Sequence, residues 1–127
     1  MGKRILVIED DPGSRRCFDF LFEKEGYQVI VASNGLEGLR MARQDNPDIL
    51  ILDVMLPGLD GFEVCHRLRS EPATAKLPII MLSAKGQDED KVTALKVGAN
   101  VFLAKPVDRQ LLLNSVAGLL GEQREIN

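Results

Sequence analysis

Residues 48–61 read Asp48-Ile49-Leu50-Ile51-Leu52-Asp53-Val54-Met55-Leu56-Pro57-Gly58-Leu59-Asp60-Gly61, and this stretch decides the fold. From Ile49 to Leu52 the aliphatic run shows no alternation, so a strand here has to be covered on both faces, as the strands of parallel sheets are. The run ends on an acid, Asp53. Pro57 and Gly58 bring turn chemistry. Asp60, with Glu63 three residues on, then starts a helix in the manner of a capping box. Phe62, Cys65 and Leu68 recur at helical spacing on what becomes the buried side of that helix. A strand, a loop at its carboxyl end and a returning helix make up half of a βαβ unit.

The same alternation repeats outward in both directions. Upstream, the apolar run 5–8 predicts a strand. Asp11-Pro12 starts a helix whose stripe is Cys17, Phe18, Leu21 and Phe22, and Gly26 ends it. A second strand over about 28–32 leads to Asn34 and Glu37, another capped start, with Leu36, Leu39 and Ala42 as the apolar stripe and Asn46-Pro47 as the stop. Downstream, 77–82 predicts a strand and 88–97 a helix with an acidic first turn, closed by Gly98. The acidic run 87–91 reads as a solvated helix start. A fifth strand over 100–103 and a last helix, capped by Asp108 with Leu112, Val116, Leu119 and Leu120 inside, complete the pattern. Strands alternating with helices indicate one α/β domain, a parallel sheet with helices on both faces. The domain is expected over residues 1–121, with a polar tail at 122–127.

Composition narrows the function. A chain of 127 residues can bury one core, and 45% hydrophobic with 28% charged residues is ordinary for a globular protein. A net charge of −3 argues against direct nucleic-acid binding. No apolar run approaches the length of a membrane span, and the start MGKRIL lacks a secretory apolar stretch. Cys17 and Cys65 have no metal-ligand spacing and read as small core residues in a reducing, cytoplasmic compartment. His66, the one histidine, reads as a surface residue.

In open α/β sheets ligands sit beyond the carboxyl ends of the strands. Those ends carry Glu9-Asp10-Asp11, Asp53, Ser83 and Lys105-Pro106. In a flavodoxin-like strand order, 2-1-3-4-5, Asp53 falls between the acids and Ser83, and Lys105 is long enough to reach across the fourth strand. Clustered carboxylates repel one another unless a cation compensates. Mg²⁺ suits such oxygen ligands, with Mn²⁺ a second candidate. The cation can bridge a carboxylate and an incoming phosphoryl group, Lys105 can meet the same phosphoryl oxygens, and Ser83 can donate a hydrogen bond. This is a phosphoryl-transfer site with a carboxylate nucleophile.

ILVIEDD, DVMLPGLDG, Ser83-Ala84 and Lys105-Pro106, in that order and at matching spacing, resemble the receiver domain of two-component response regulators over nearly the whole chain. The resemblance implies that Asp53 accepts the phosphoryl group and that Glu9, Asp10, Asp53 and the backbone carbonyl of Met55 hold the metal. Asp11 could share the acidic duty. It further implies that Lys105 contacts the phosphoryl group, that the Lys105–Pro106 bond is cis, and that Ser83 and Phe102 form the switch. Met55 and Lys85 would tune the access of water. The donor would be a phosphohistidine on a sensor histidine kinase or a phosphotransfer domain. The chain would be a signalling switch that contributes catalysis to its own phosphorylation and dephosphorylation rather than an enzyme. Its altered face would be formed by the fourth helix, fifth strand and fifth helix, with a downstream effector as reader. A dehalogenase-type phosphatase would want an Asp-x-Asp arrangement after the first strand, which adjacent Asp10 and Asp11 do not supply. A nucleotide or flavin binder would want a glycine-rich or hydroxyl-rich loop there.

Overall fold

The computed structural model describes residues 2–84 and 88–122. In chain order the elements are β1 (Arg4–Ile8), α1 (Pro12–Lys24), β2 (Gln28–Ala32), α2 (Gly35–Gln44), β3 (Ile49–Asp53), α3 (Gly61–Arg69), β4 (Ile79–Ser83), α4 (Asp88–Lys96), β5 (Val101–Ala104) and α5 (Arg109–Leu119). The strands pair in parallel in the order β2-β1-β3-β4-β5. This is the flavodoxin-like arrangement expected from the alternation.

Side chains of successive strand residues point to opposite faces, and that parity divides the core. Leu6, Ile8, Leu50, Leu52, Ile79 and Met81 pack with Leu39, Ala42, Val64, Cys65, Leu68 and Ala94 of α2, α3 and α4. Ile5, Val7, Ile49, Ile51, Ile80 and Leu82 pack on the other face with Phe22, Leu112, Leu113 and Val116 of α1 and α5. All residues of β3 and β4 are buried, which is why those strands read as unbroken apolar runs. Each such aliphatic side chain stabilises the fold by about 1.5–3 kcal/mol.

The helix starts are local in origin. Asp11, Asn34, Asp60 and Asp108 accept from the backbone N–H groups of Ser14, Glu37, Glu63 and Leu111 at 2.8, 2.8, 2.9 and 3.0 Å. Each cap is worth roughly 1 kcal/mol. Gly26 and Gly98, beyond the ends of α1 and α4, have φ of +91° and +108°, the left-handed conformation in which glycine is at ease.

Several stripe assignments need correction. Cys17 is exposed. It lies one residue, about 100° of helix, from Phe18, whose ring stacks on Phe22 at 6.3 Å. Leu36 is 67% exposed, and the buried side of α2 is Gly35, Gly38, Leu39 and Ala42. A Cβ at Gly38 would overlap Ile8, and one at Gly35 would overlap the Leu59 carbonyl. The helix therefore approaches β1 through Gly38 and the loop before α3 through Gly35, and turns Leu36 outward. In α5, Leu113 and Ala117 are buried with Leu112 and Val116, whereas Leu119 and Leu120 are half-buried. Lys85, Gln87 and residues 123–127 of the tail lie outside the described residues. No helix among the described residues is long and apolar enough to cross a membrane.

Candidate functional site

The carboxyl ends of β1 and β3 set the acids side by side. Register pairs Ile8 with Leu52, so Glu9 follows β1 where Asp53 ends β3. Glu9, Asp10 and Asp53 each offer a carboxylate oxygen, all within 4.8 Å of one another. Glu9 and Asp53 are buried, at 2% and 5% exposure, and Asp10 lies at the exposed rim. Asp11 stands apart from them. The Ser14 backbone N–H and then its hydroxyl hold the Asp11 carboxyl below its ordinary range. Asp11 serves as the cap of α1, and its own N–H donates to Glu9 Oε2 at 3.2 Å.

Lys105 reaches the acids from beyond β5. Its Nζ lies 2.7 Å from Glu9 Oε1 and 3.2 Å from Asp53 Oδ2. Burial works against the ammonium. The hydrogen bond to Glu9 and the charges of Asp53 and Glu9 outweigh that penalty and hold its pKa above the ordinary lysine value. The backbone fixes where this side chain starts: the Lys105 N–H donates to the Ser83 carbonyl at 2.9 Å, and the Lys105–Pro106 bond is cis.

Ser83 is fully buried at the end of β4. It shares the parity of Ile79 and Met81 and so faces the α4 side, as does Phe102, which packs against that cluster and pairs with Met81. Met55 is 54% exposed, and its N–H makes a long bond, 3.4 Å, to Asp53 Oδ1. Asp10, Met55, Asp60, Phe62 and Asp90 line one groove beside the acids. His66 is exposed. The loop after β3 returns tightly: the Gly61 N–H donates to the Val54 carbonyl at 2.9 Å, and a Cβ on Gly61 would overlap the Asp53 carbonyl oxygen.

Two participants escaped the sequence reading. Arg15 Nη1 donates to the carbonyls of Glu9 and Asp10 at 2.9 and 2.8 Å, pinning the acidic loop to α1. Its spacing, one turn into a helix just after the acids, was the available signal. Asp90 belongs to the run expected to be a solvated helix start. Asp88 and Glu89 are exposed, but Asp90 is half-buried and accepts from Ser83 Oγ at 3.1 Å.

Comparison with known proteins agrees with this fold. The family described as response regulator receiver domain matches residues 5–117. PilH of Pseudomonas aeruginosa is 38% identical over 117 residues, covering 92% of this chain and 97% of PilH. The chain spans about half the length of several transcriptional regulators that it also matches. A putative response regulator from Chloroflexus aurantiacus superposes with a TM-score of 0.92 at 37% identity, covering 96% of this chain and 100% of that one. The receiver domain of a Pseudomonas aeruginosa sensor histidine kinase, solved with a magnesium ion coordinated in its active site cleft, superposes at 0.89 with 30% identity and coverages of 96% and 100%.

Proposed function

The chain belongs to the response regulator receiver domain family of two-component systems, and from that membership we propose that Asp53 is its phosphoacceptor. The observation that carries this is the convergence of the Glu9, Asp10 and Asp53 carboxylates on one sheet edge, with Lys105 Nζ bridging Glu9 and Asp53 at 2.7 and 3.2 Å.

The donor set fits a divalent cation. Among the described residues, Lys105 is the one side-chain cation in ion-pair contact with these three carboxylates, so the cluster keeps an excess of negative charge. Hard oxygen ligands in that number suit magnesium first and manganese second. Glu9, Asp10, Asp53 and the Met55 carbonyl would hold it. Once bound, such an ion neutralises charge on phosphoryl oxygens during transfer.

The chain's own groups divide the remaining work. A carboxylate oxygen of Asp53 attacks phosphorus, and the P–O bond forms as the P–N bond of a phosphohistidine breaks, its electron pair leaving with the imidazole nitrogen. Lys105 stays protonated at neutral pH and exchanges its Asp53 contact for a phosphoryl oxygen. Ser83 donates its hydroxyl hydrogen to another. Phe102 shares the Ser83 face and follows, remodelling the surface of α4, β5 and α5. Moving such a switch from 1:99 to 99:1 takes about 5.5 kcal/mol, within reach of several charge-assisted hydrogen bonds to a group carrying about −1.5 to −2 charge.

The natural donor in this reading is a sensor histidine kinase or a histidine phosphotransfer domain in the cytoplasm, and the reader is a downstream protein rather than nucleic acid. The chain acts as a switch over residues 1–121 and turns over no separate substrate of its own. With acetyl phosphate and magnesium, intact mass should rise by about 80 Da, the mass of one phosphoryl group. Asp53→Asn should abolish the gain. Equal labelling of wild type and variant would refute the assignment, and undiminished labelling in EDTA would refute the cation.

A further inference from the structure

The hydrogen bond between Ser83 and Asp90 has a consequence for the resting state. We propose that Asp90 is a positioning residue: it captures the Ser83 hydroxyl hydrogen and holds it toward α4 until a phosphoryl group competes for it. The inference rests on the phosphoacceptor reading of Asp53.

A carboxylate accepts and a serine hydroxyl has one hydrogen. With Ser83 Oγ 3.1 Å from Asp90 Oδ2, that hydrogen is spent on Asp90. It cannot serve Asp90 and a phosphoryl oxygen together, so the two bonds exclude each other. Strand parity agrees. Ser83 faces α4 with Ile79 and Met81, whereas Asp53 has the parity of Ile49 and Ile51, which pack on the opposite face. Serving the phosphoryl group therefore means turning the hydroxyl away from α4.

Asp90 is also well placed for its release to matter. Of α4's nine residues only Ala94 is buried, and Val92 and Leu95 lie in solvent. The bond to Ser83 ties the first turn of α4 to the end of β4. Asp90 lines the same groove as Asp10 and Met55, so the negative charge of an added phosphoryl group repels it as well. Loss of the hydrogen bond and repulsion act in one direction, and both loosen α4.

The plain alternative is that Asp90 is only a favourable acid at a helix N-terminus. Asp88 and Glu89 share that turn, so Glu89→Gln is the matched control. Binding of beryllofluoride, a phosphoryl mimic, is measured by calorimetry in saturating magnesium. Losing a hydrogen bond to a charged acceptor in the free state alone predicts about tenfold tighter binding by Asp90→Ala. Asp90→Asn keeps a neutral acceptor roughly half as strong and should gain about threefold. Glu89→Gln should match wild type. In a Ser83→Ala background, adding Asp90→Ala should give a clearly smaller gain, the part owed to charge repulsion alone. Amide exchange at Val92 and Thr93, whose N–H groups are the first in α4 placed to bond back to its first turn, should be fast in free Asp90→Ala and in wild type only with beryllofluoride, which separates release of the turn from global unfolding.

Asp90→Ala binding no tighter than wild type overturns the proposal. So does a gain that persists undiminished without the Ser83 hydroxyl, because that would be charge removal alone. In either case labelling of wild type at Asp53 leaves the phosphoacceptor reading standing. Beryllofluoride failing to bind wild type at all removes that reading and this inference with it.

Discussion

Lys105 spans two buried carboxylates that lie on different strand ends. Its ammonium answers Glu9 and Asp53 together, and the hydrogen bond to Glu9 and the charges of Asp53 and Glu9 outweigh burial and keep its pKa above the ordinary lysine value. The place of Lys105 beside the acids was legible because a strand-end lysine before a proline is an isolated, countable signal. The cysteines were not, because apolar spacing says where a stripe runs and not how wide it is. The structure separates them. Cys17 is exposed, while Cys65 is buried under α4 with its Sγ 3.4 Å from the Val97 carbonyl. Burial pushes the Cys65 thiol up, and Arg69 opposes this only in part. Since the thiolate is the nucleophile, iodoacetamide at about pH 8, near the free-thiol pKa, should modify Cys17 and spare Cys65 in the native protein. Both should react in urea. Peptide mass mapping checks this, and equal native labelling of the two would contradict the burial of Cys65.

At the scale of elements, glycine decides how closely helices approach the sheet. Gly61 begins α3 directly against the end of β3, where a Cβ would meet the Asp53 carbonyl oxygen and lie 2.9 Å from Val54 Cα. Both obstacles are backbone, so neither can swing aside. Gly61→Ala should cost roughly 1–3 kcal/mol, the usual penalty of overpacking, and should slow phosphorylation by displacing the Asp53 loop. Gly58 makes the control. Its φ is +75° but nothing lies within 4 Å of an added Cβ, so Gly58→Ala should cost only the left-handed strain, about 1–2 kcal/mol, and keep more of the labelling rate. Urea unfolding and acetyl phosphate kinetics measure the pair; a Gly61→Ala protein as stable and as fast as wild type would show that α3 shifts freely. Glycine also explains what the pattern concealed. Counting large apolar residues put Leu36 on the inner side of α2, whereas Gly35 and Gly38 hold that side. Asp90 was hidden for a different reason: an acid in an acidic first turn looks solvated until the neighbouring strand's parity brings Ser83 beside it.

Across the whole molecule the acids belong to two strands that are distant in sequence and adjacent only in the folded sheet. The strand order came from the flavodoxin-like winding that strand–helix alternation suggests, with the β3 run as the one mark of a central strand, and the pairing agrees with it. It follows that any cation held by these carboxylates would be coupled to global folding. An unfolded chain holds Glu9 and Asp53 too far apart to share an ion, so magnesium should bind the native state alone and stabilise it in proportion to RT ln(1 + [Mg²⁺]/Kd). Above Kd, unfolding free energy should climb by about 1.4 kcal/mol for each tenfold rise in magnesium, at constant urea m-value because the surface exposed on unfolding is unchanged. Sodium chloride at matched ionic strength should not reproduce the climb, since it screens the carboxylates without bridging them. Asp10→Asn sharpens the test. Asp10 makes no ion pair among the described residues, so neutralising it relieves repulsion from Glu9 and Asp53, raising stability in EDTA while moving the magnesium response to higher concentration. Stability that ignores magnesium, or an Asp10→Asn variant that responds at the same concentration as wild type, would mean that these carboxylates do not act together as a cation site.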